Sequence, residues 1–507
     1  GPGALRPQGN NQTIDRDRHA TSWKRDLRIP ADAPVVINVG YGDLRKGVDL
    51  FVQVARQVAA VHAAAHFVWV GDLHPDLSTW LRIDAANCAL AGRLHFVPFD
   101  DDVAQYLNGA AVMAMTSRED PFPSTVLEAL ASGLPVVAFD GGGGYVEAIA
   151  AHDDNGSRVP MGDVTAMAAA LSRWIAEDDP ASRGRRAERA ALRYRWRDYV
   201  FELLRCCYPA LAKVSAIVPN YAYARYLPAR LASILGQTYP LYELIVLDDA
   251  SPDNSVQVVD DVLRASGREA RVLVNDENSG SVFRQWAKGV ALATGDLVWI
   301  AEADDLSTPD FLAHALANWE DDVAVVFTDS AQIDQDGAAL GASYGFYYRD
   351  LATNPMVGSF VMDGASFVER ALAVKNVILN ASAAVFCRPR LAAAIEAARE
   401  DLSCLRMAGD WRLYLELLAA PGARVGYVDS ADNVHRRHAG SVTHALAARR
   451  HMGEIESVHR YASSRYRLPL STREAMVAYR RQVSAQLGID GSWSNGEEDS
   501  GAVEERI

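Results

Sequence analysis

Short runs rich in Val, Ile, Leu and Phe alternate along this chain with longer stretches whose apolar positions recur every three or four residues. In the first half, "PVVINVG", "HFVWVG", "LHFVPF", "AAVMAM" and "LPVVAF" read as strands buried on both faces. Between and after them, "VDLFVQVARQVAAVHAA", "STVLEALASG" and "VTAMAAALSRWIAE" carry the helical period. A polar, amphipathic stretch, "GRRAERAALRYRWRDYVFELLRCC", closes this half. The alternation restarts at Val214 with "VSAIVPNY", "YELIVLDD", "EARVLVN" and "GDLVWIAEADD". Strand and helix in turn predict an α/β fold of parallel sheets with crossover helices, here in two Rossmann-like units.

The predicted boundaries follow from that pattern. Residues 1–32 read as a leader or linker, 33–208 as the first unit, 213–445 as the second, and 446–487 as a helical extension. The last stretch, 488–507, is acidic, nearly free of large aliphatics, and predicts disorder. The join at Pro209 to Lys213 is short, which predicts docked rather than loosely tethered units.

Composition narrows the function. At 507 residues the chain exceeds one ordinary core, and 49% apolar content marks it as globular. A net charge of −15 argues against a nucleic-acid groove, though not against phosphate held by local amides and cations. No apolar run approaches the roughly 20 residues that span a bilayer, and no secretory leader is visible. The opening Gly-Pro-Gly reads as an expression scar, so a leader could have been cut away. The arginines of "RGRRAERAALRYRWR", residues 183 to 197, read as a solvated helix face. Membrane contact is then at most peripheral, at the inner face of the cytoplasmic membrane. Five cysteines, odd in number and without zinc spacing, predict reduced and mostly buried thiols in a cytoplasmic protein.

The chemistry is concentrated in "GDLVWIAEADDLSTPDF", residues 295 to 311. The apolar run Leu297 to Ile300 meets Glu302, Asp304 and Asp305 with almost no spacer. Hard Mg²⁺ or Mn²⁺ takes carboxylate oxygens, and ligands of open α/β sheets bind at the C-terminal edge of the strands. The competing reading is a solvated acidic turn before the next helix.

Further pieces decide between them. "VPNYAYARYLPARLASILGQTYP", "VLDDASPDNS", "NSGSVFRQW", "AGDWRLYLELL" and "NVHRRHAGSVT" follow one another in an order that resembles family-2 glycosyltransferases of the GT-A fold. The resemblance covers about residues 213 to 445. It implies a mixed, mainly parallel sheet and inverting transfer of a sugar from a nucleotide diphosphate. Pro219 and Tyr221 would line the base pocket, and Asp248 and Asp249 would meet base or ribose. Gly280 and Ser281 would let the chain pass close to the nucleotide. Asp304 would be the main metal ligand, supported by Asp305, with Glu302 ranked below because the family has aspartate there. Asp410 would be the base that deprotonates the acceptor, and a helix N-cap is its structural alternative. His438 would be a further metal ligand and Arg437 a cation for the diphosphate. Trp286 and Trp411 read as packing residues.

"SREDPFPSTVLEALASGLPVVAFDGGGG", "VGYGDLRKGVDLF" and "NGSRVPMGD" resemble the donor-binding half of family-4 glycosyltransferases of the GT-B fold. By that resemblance Lys46, with Arg45 nearby, would face the diphosphate, Asp120 and Glu128 would be the paired acids, and Gly143 and Gly144 would open an anion-binding turn. Tyr41 stands where that family has an arginine, and the acceptor half of a GT-B enzyme is missing upstream.

The sequence thus predicts a metal-dependent inverting transferase using Mn²⁺ or Mg²⁺ and a UDP, GDP or dTDP sugar. Its acceptor would be a glycan or lipid-linked glycan in O-antigen or capsule-type surface polysaccharide synthesis. A rhamnosyltransferase-like branch is indicated, and the first unit would make a longer native chain bifunctional. The alternative is a non-catalytic nucleotide-sugar-binding scaffold. A nucleotidyltransferase would need a Gly-rich loop after the first strand of the second unit, and "VPNYAYARY" has none.

Overall fold

A computed structural model describes residues 22–88, 90–177, 179–317, 319–437 and 448–488. His438 and all but the first residue of the expected tail lie outside them. The chain divides into two compact units between Leu211 and Ala212.

The first unit is built on six strands: β1 (Val35–Val39), β2 (His66–Val70), β3 (Leu94–Val97), β4 (Val112–Met115), β5 (Val136–Phe139) and β6 (Gly156–Val159). All pair in parallel in the order β3-β2-β1-β4-β5-β6. β1, β2, β4 and β5 are buried at every position, which is why they read as unbroken apolar runs rather than as alternating ones. The order reverses between β1 and β4, and a crevice opens at such a switch point beyond the strand ends.

Three features of this unit differ from the sequence reading. Trp23 and Ile29, inside the stretch expected as a linker, are buried core residues, and Trp23 donates to the Gln105 carbonyl at 2.9 Å. The arginine-rich helix Pro180–Arg193 is not wholly solvated: Arg186 is buried and its Nε donates to the Gly133 carbonyl at 2.8 Å. All five cysteines are free thiols, but none is buried; Cys206, Cys207 and Cys404 are exposed. Cys206 and Cys207 end the helix Trp196–Cys207, whose one buried side chain is Phe201.

The second unit carries ten strands: β7 (Val214–Asn220), β8 (Glu243–Asp248), β9 (Arg271–Val274), β10 (Leu297–Ile300), β11 (Leu306–Ser307), β12 (Val323–Asp334), β13 (Ala339–Gly341), β14 (Phe360–Asp363), β15 (Ala384–Cys387) and β16 (Arg424–Arg437). The sheet runs β11-β16-β12-β15-β10-β7-β8-β9, with β13 against β12 and β14 against β16. It is mixed: parallel from β10 through β9 and between β12 and β16, antiparallel at the other pairings. β7, β8 and β10 therefore end on one edge, delivering Asn220, Asp248 and the 301–305 turn side by side. Two helices, Ala448–Arg465 and Leu470–Gln486, pack their Met452, Ile455, Val458 and Met476 into the same core. Among the described residues no helix is long and apolar enough to cross a membrane.

Candidate active site

At the edge shared by β7, β8 and β10 the backbone is unusual. Ala222 and Ala250, just beyond β7 and β8, hold φ of 59° and 57°, a left-handed conformation that costs a non-glycine residue free energy and collects at functional loops. Pro219 is buried within β7, while Tyr221 is 47% exposed, so of the two only the tyrosine ring presents a surface to a base.

The two aspartates after β8 have partners throughout. Asp248 accepts from Asn220 Nδ2 at 2.7 Å and from the Ser251 amide at 2.8 Å. Asp249 accepts from Asn275 Nδ2 (2.6 Å), the Ser279 amide (2.9 Å), Ser279 Oγ (2.7 Å) and Gln285 Nε2 (2.8 Å). Its carboxylate thereby shapes the loop before helix Val282–Leu292, where Gly280 adopts φ 68° and Ser281 occupies the cap position.

The three acids after β10 have different surroundings. Asp305 is buried and accepts from Asn380 Nδ2 at 2.7 Å and from the Arg436 amide at 2.9 Å. Burial first, then the Asp304 charge, push its carboxyl up, opposed by His435 and Arg230. Glu302 accepts from Trp286 Nε1 at 2.8 Å. Burial first, then the Asp304 charge, push its carboxyl up to about 8. Asp304 is half-buried, and its main-chain carbonyl accepts from Arg436 Nε at 2.8 Å. Beneath them Arg230 is fully buried, 5.0 Å from the centre of the Trp299 ring, with no hydrogen-bond partner on any guanidinium nitrogen. The nearby acids raise its pKa, but burial dominates and lowers it to about 10. A buried cation is an electrostatic counterweight to three acids crowded on one turn.

Asp410 lies on the first turn of helix Gly409–Leu418, where it accepts from Asn376 Nδ2 at 3.0 Å and from the Trp411 amide at 2.7 Å. Burial pushes its carboxyl up to about 7 despite these bonds. It is not the N-cap: Ala408 holds that position. Tyr414, one turn on, is fully buried, and burial first, then the Asp410 and Glu302 charges, push its hydroxyl pKa up. Trp286 and Trp411 are buried packing residues, the latter donating to the Leu372 carbonyl at 2.6 Å. Arg437 reaches the Tyr344 hydroxyl at 3.5 Å, which in turn contacts His435 Nδ1 at 2.7 Å. His438 lies outside the described residues.

Among the described residues no group of three His, Cys, Asp or Glu is gathered as a cage for a metal. The donor set fits a cation shared with a ligand, since Mg²⁺ is typically bound by one or two carboxylates and completed by substrate phosphate. A cleft of about 510 Å³ beside β14 and β16, lined by Phe360, Tyr427 and Ser430, contains none of these acids.

In the first unit the loops after β1, β4 and β5 meet at the switch point. The Lys46 ammonium pairs with the Asp120 carboxylate across it, and both side chains are largely buried. Arg45 Nη1 donates to the Glu119 carbonyl at 3.2 Å. Glu128 is buried on helix Ser124–Ala131, and that burial raises its pKa. The Asp120 amide donates to the Gly142 carbonyl at 2.7 Å, and the Gly144 amide to that of Pro121 at 2.7 Å. Gly143 has φ 157°, and a Cβ there would lie 1.7 Å from the Asp120 carbonyl oxygen, so only glycine fits. Tyr41 is exposed beside His74.

The sequence reading missed Asn376, Asn380, Tyr414 and Arg230. Arg230 had a signal, as it falls on the apolar face of helix Leu227–Leu235 with Leu227, Leu231 and Ile234. Tyr414 lies one turn from Asp410 on the same helix, and Asn376 and Asn380 meet the site only through long-range contacts.

Comparison with known proteins assigns each unit to a family. Residues 20–193 match the family "Glycosyl transferases group 1", and residues 215–373 match "Glycosyl transferase family 2". The chain is therefore a tandem of a group 1 (GT-B type) and a family 2 (GT-A type) glycosyltransferase domain. A lipopolysaccharide core biosynthesis glycosyltransferase of Rhizobium meliloti is 27% identical over 187 residues, 33% of this chain and 52% of its own. A putative teichuronic acid biosynthesis glycosyltransferase of Bacillus subtilis is 29% identical over 150 residues, 29% of this chain and 59% of its own. An uncharacterised glycosyltransferase of Nostoc is 36% identical over 98 residues, 19% of this chain and 30% of its own. The chain spans about a third to three fifths of the length of these relatives. A solved structure of S. aureus TarS 1–349 with UDP covers 54% of this chain and 72% of its own, at 16% identity and a TM-score of 0.40.

Proposed function

We propose that the chain is a glycosyltransferase whose second unit transfers a sugar, with inversion, from a nucleotide diphosphate to a hydroxyl of a glycan or lipid-linked glycan. The Asp410 carboxylate removes the acceptor's proton as the hydroxyl oxygen attacks the anomeric carbon. The bond to the diphosphate breaks, and the nucleotide leaves with its electron pair. Mn²⁺ or Mg²⁺, held by Asp304 together with diphosphate oxygens, would supply neutralisation of the charge on the leaving group. Asp305 and Glu302, tied to Asn380, Arg436 and Trp286, fix the turn on which Asp304 stands. Arg437 and Tyr221 supply a cation and a ring for the nucleotide. O-antigen or capsule-type polysaccharide is the process in which the product would serve, and a rhamnose-type donor belongs in the panel.

The observation that carries this reading is a carboxyl poised near neutrality at a helix start, Asp410, held by Asn376 and the Trp411 amide. A base is most effective when its pKa lies near the working pH. The test is turnover of UDP-glucose, UDP-galactose, GDP-mannose and dTDP-rhamnose with Mn²⁺, on wild type, Asp304→Ala and Asp410→Asn. Loss of at least a hundredfold in both variants is expected, about the scale of one charge-stabilising group. Metal-independent binding without turnover, insensitive to Asp304→Ala, would instead favour a non-catalytic scaffold.

For the first unit, the ion pair between Lys46 and Asp120 favours a docking module over an independent transfer step. The cation expected to face the diphosphate is already neutralised by the first acid of the pair.

A further inference from the structure

The two C-terminal helices, Ala448–Arg465 and Leu470–Gln486, lie beyond the segment matched by the family 2 domain and supply none of the groups assigned above. They nevertheless grip the helix that carries Asp410. The Gly409–Leu418 helix has Ala408 at its cap position, a residue with no side-chain acceptor for the orphan amides of a helix start. An acceptor for Ala408 and the two residues before it comes from 46 to 48 residues further along the chain: Glu454, 6% exposed, on the first of the two C-terminal helices. Its Oε1 accepts from the Arg406 amide at 3.0 Å, and its Oε2 from the amides of Arg406 (3.1 Å), Met407 (2.8 Å) and Ala408 (3.1 Å). Three consecutive amides leading into the Asp410 turn therefore converge on one carboxylate.

The same helices hold the turn at other points. His459 packs its ring edge-on against Trp411, with centroids 5.3 Å apart, and its Nε2 lies 3.0 Å from the Val374 carbonyl. Thr472 Oγ1 donates to the Glu369 carbonyl at 3.0 Å. On the other side, Gly409 lies against the Phe283 ring so closely that a Cβ would sit 2.4 Å from it. The turn is thus clamped between Phe283 and Glu454.

We propose that Glu454 is a positioning residue for the transferase reaction, holding by its carboxylate the turn that aims Asp410 and placing a second negative charge beside it. This rests on the reading of Asp410 as the base. Among the described residues, Glu454 acts on Asp410 from the C-terminal helix, and Tyr414, on the Asp410 helix, feels both Asp410 and Glu302. Asn376, uncharged, bonds to it from its own segment. Behind Glu454 stand Arg450, whose Nε is 3.5 Å from Oε1, and His451. Arg406 turns its guanidinium away to the Gly280 carbonyl. Of these groups, Glu454 adds to burial in raising the Asp410 pKa. A like charge disfavours ionisation of its neighbour, so removing it lowers that pKa.

The test needs no knowledge of the natural sugar. The titration of Asp410 is followed in the full chain as the pH dependence of the stability difference between each protein and its Asp410→Asn version. The backgrounds are wild type, Glu454→Gln and Arg450→Gln. In Glu454→Gln the midpoint should fall by about half a unit to one unit, the scale of one like charge beyond direct contact. In Arg450→Gln, which leaves the amide bonds of the turn in place, it should rise, by less because the arginine is half exposed. For whichever donor of the panel turns over, the acid limb of kcat should move with the midpoint while the donor KM stays constant. An unmoved midpoint in Glu454→Gln, or shifts of the same sign in both variants, overturns the proposal and leaves Glu454 a structural cap. If Glu454→Gln does not fold, the direction in Arg450→Gln decides alone. Transfer retained by Asp410→Asn would refute the base assignment instead, a separate outcome.

Discussion

The Asp410 carboxyl offers a prediction in which activity and stability move in opposite directions. Its pKa rises from an ordinary 3.8 to about 7 because the folded chain buries it without a cation beside it. At 1.36 kcal/mol per tenfold change in proton affinity, that rise corresponds to about 4 kcal/mol. The side chain keeps partial access to water, which brings the expectation to about 2–4 kcal/mol. The sign follows from proton binding. Between 3.8 and about 7 the folded state holds a proton that the unfolded state has released, so stability falls as pH rises through this window. The contribution is complete below the unfolded value and lost above the folded one.

Asp410→Asn removes the titration and disturbs one of the bonds to Asn376 and the Trp411 amide, a pH-independent cost of about 1 kcal/mol. The stability of the variant relative to wild type should therefore improve by about 2–4 kcal/mol between about pH 3.5 and about pH 8.5. Scanning calorimetry of the full chain checks this on the transition of the second unit. At about 2 °C per kcal/mol for a unit of this size, the two melting curves should diverge by about 4–8 °C across the range. Transfer should be lost in the same variant. Melting temperatures that run parallel with pH would show that the carboxyl is not held protonated, and the physical argument for its being a base would go with it.

Three other outcomes follow from packing and charge. Gly409→Ala places a methyl 2.4 Å from the Phe283 ring and should cost about 1–3 kcal/mol, with kcat falling more than KM rises because the strain lands on the Asp410 turn. Gly143→Ala forces a Cβ to 1.7 Å from the Asp120 carbonyl and should lower the first unit's melting transition by several degrees while the second unit's turnover is unchanged. Removal of divalent cations with EDTA should abolish turnover in wild type and be reversed by Mn²⁺; full activity in EDTA would remove the role assigned to Asp304.

Local pattern was enough to read β1 to β5 of the first sheet, the parallel strands β7 to β10 of the second, and the placement of the acids just after β10. Burial of a strand on both faces and delivery of polar groups at its end are short-range consequences of the chain. The run Leu297 to Ile300 followed by acids states both within nine residues. What each acid does was decided by tertiary contacts. Glu302, Asp304 and Asp305 look alike in sequence, yet the fold gives them different partners, Trp286 for Glu302 and Asn380 with the Arg436 amide for Asp305. Asp249 turned out to organise the 275–285 loop through four bonds, and Asp410 to sit inside the helix start rather than cap it. Trp23, in a stretch read as linker, became core because the gap beside Tyr106 needed a large ring, which no local period announces. A pKa, a cap and a buried cation depend on which groups approach through space and on how much water they exclude. Asn376 and Glu454 acquire their meaning only when the fold brings them to the Asp410 turn.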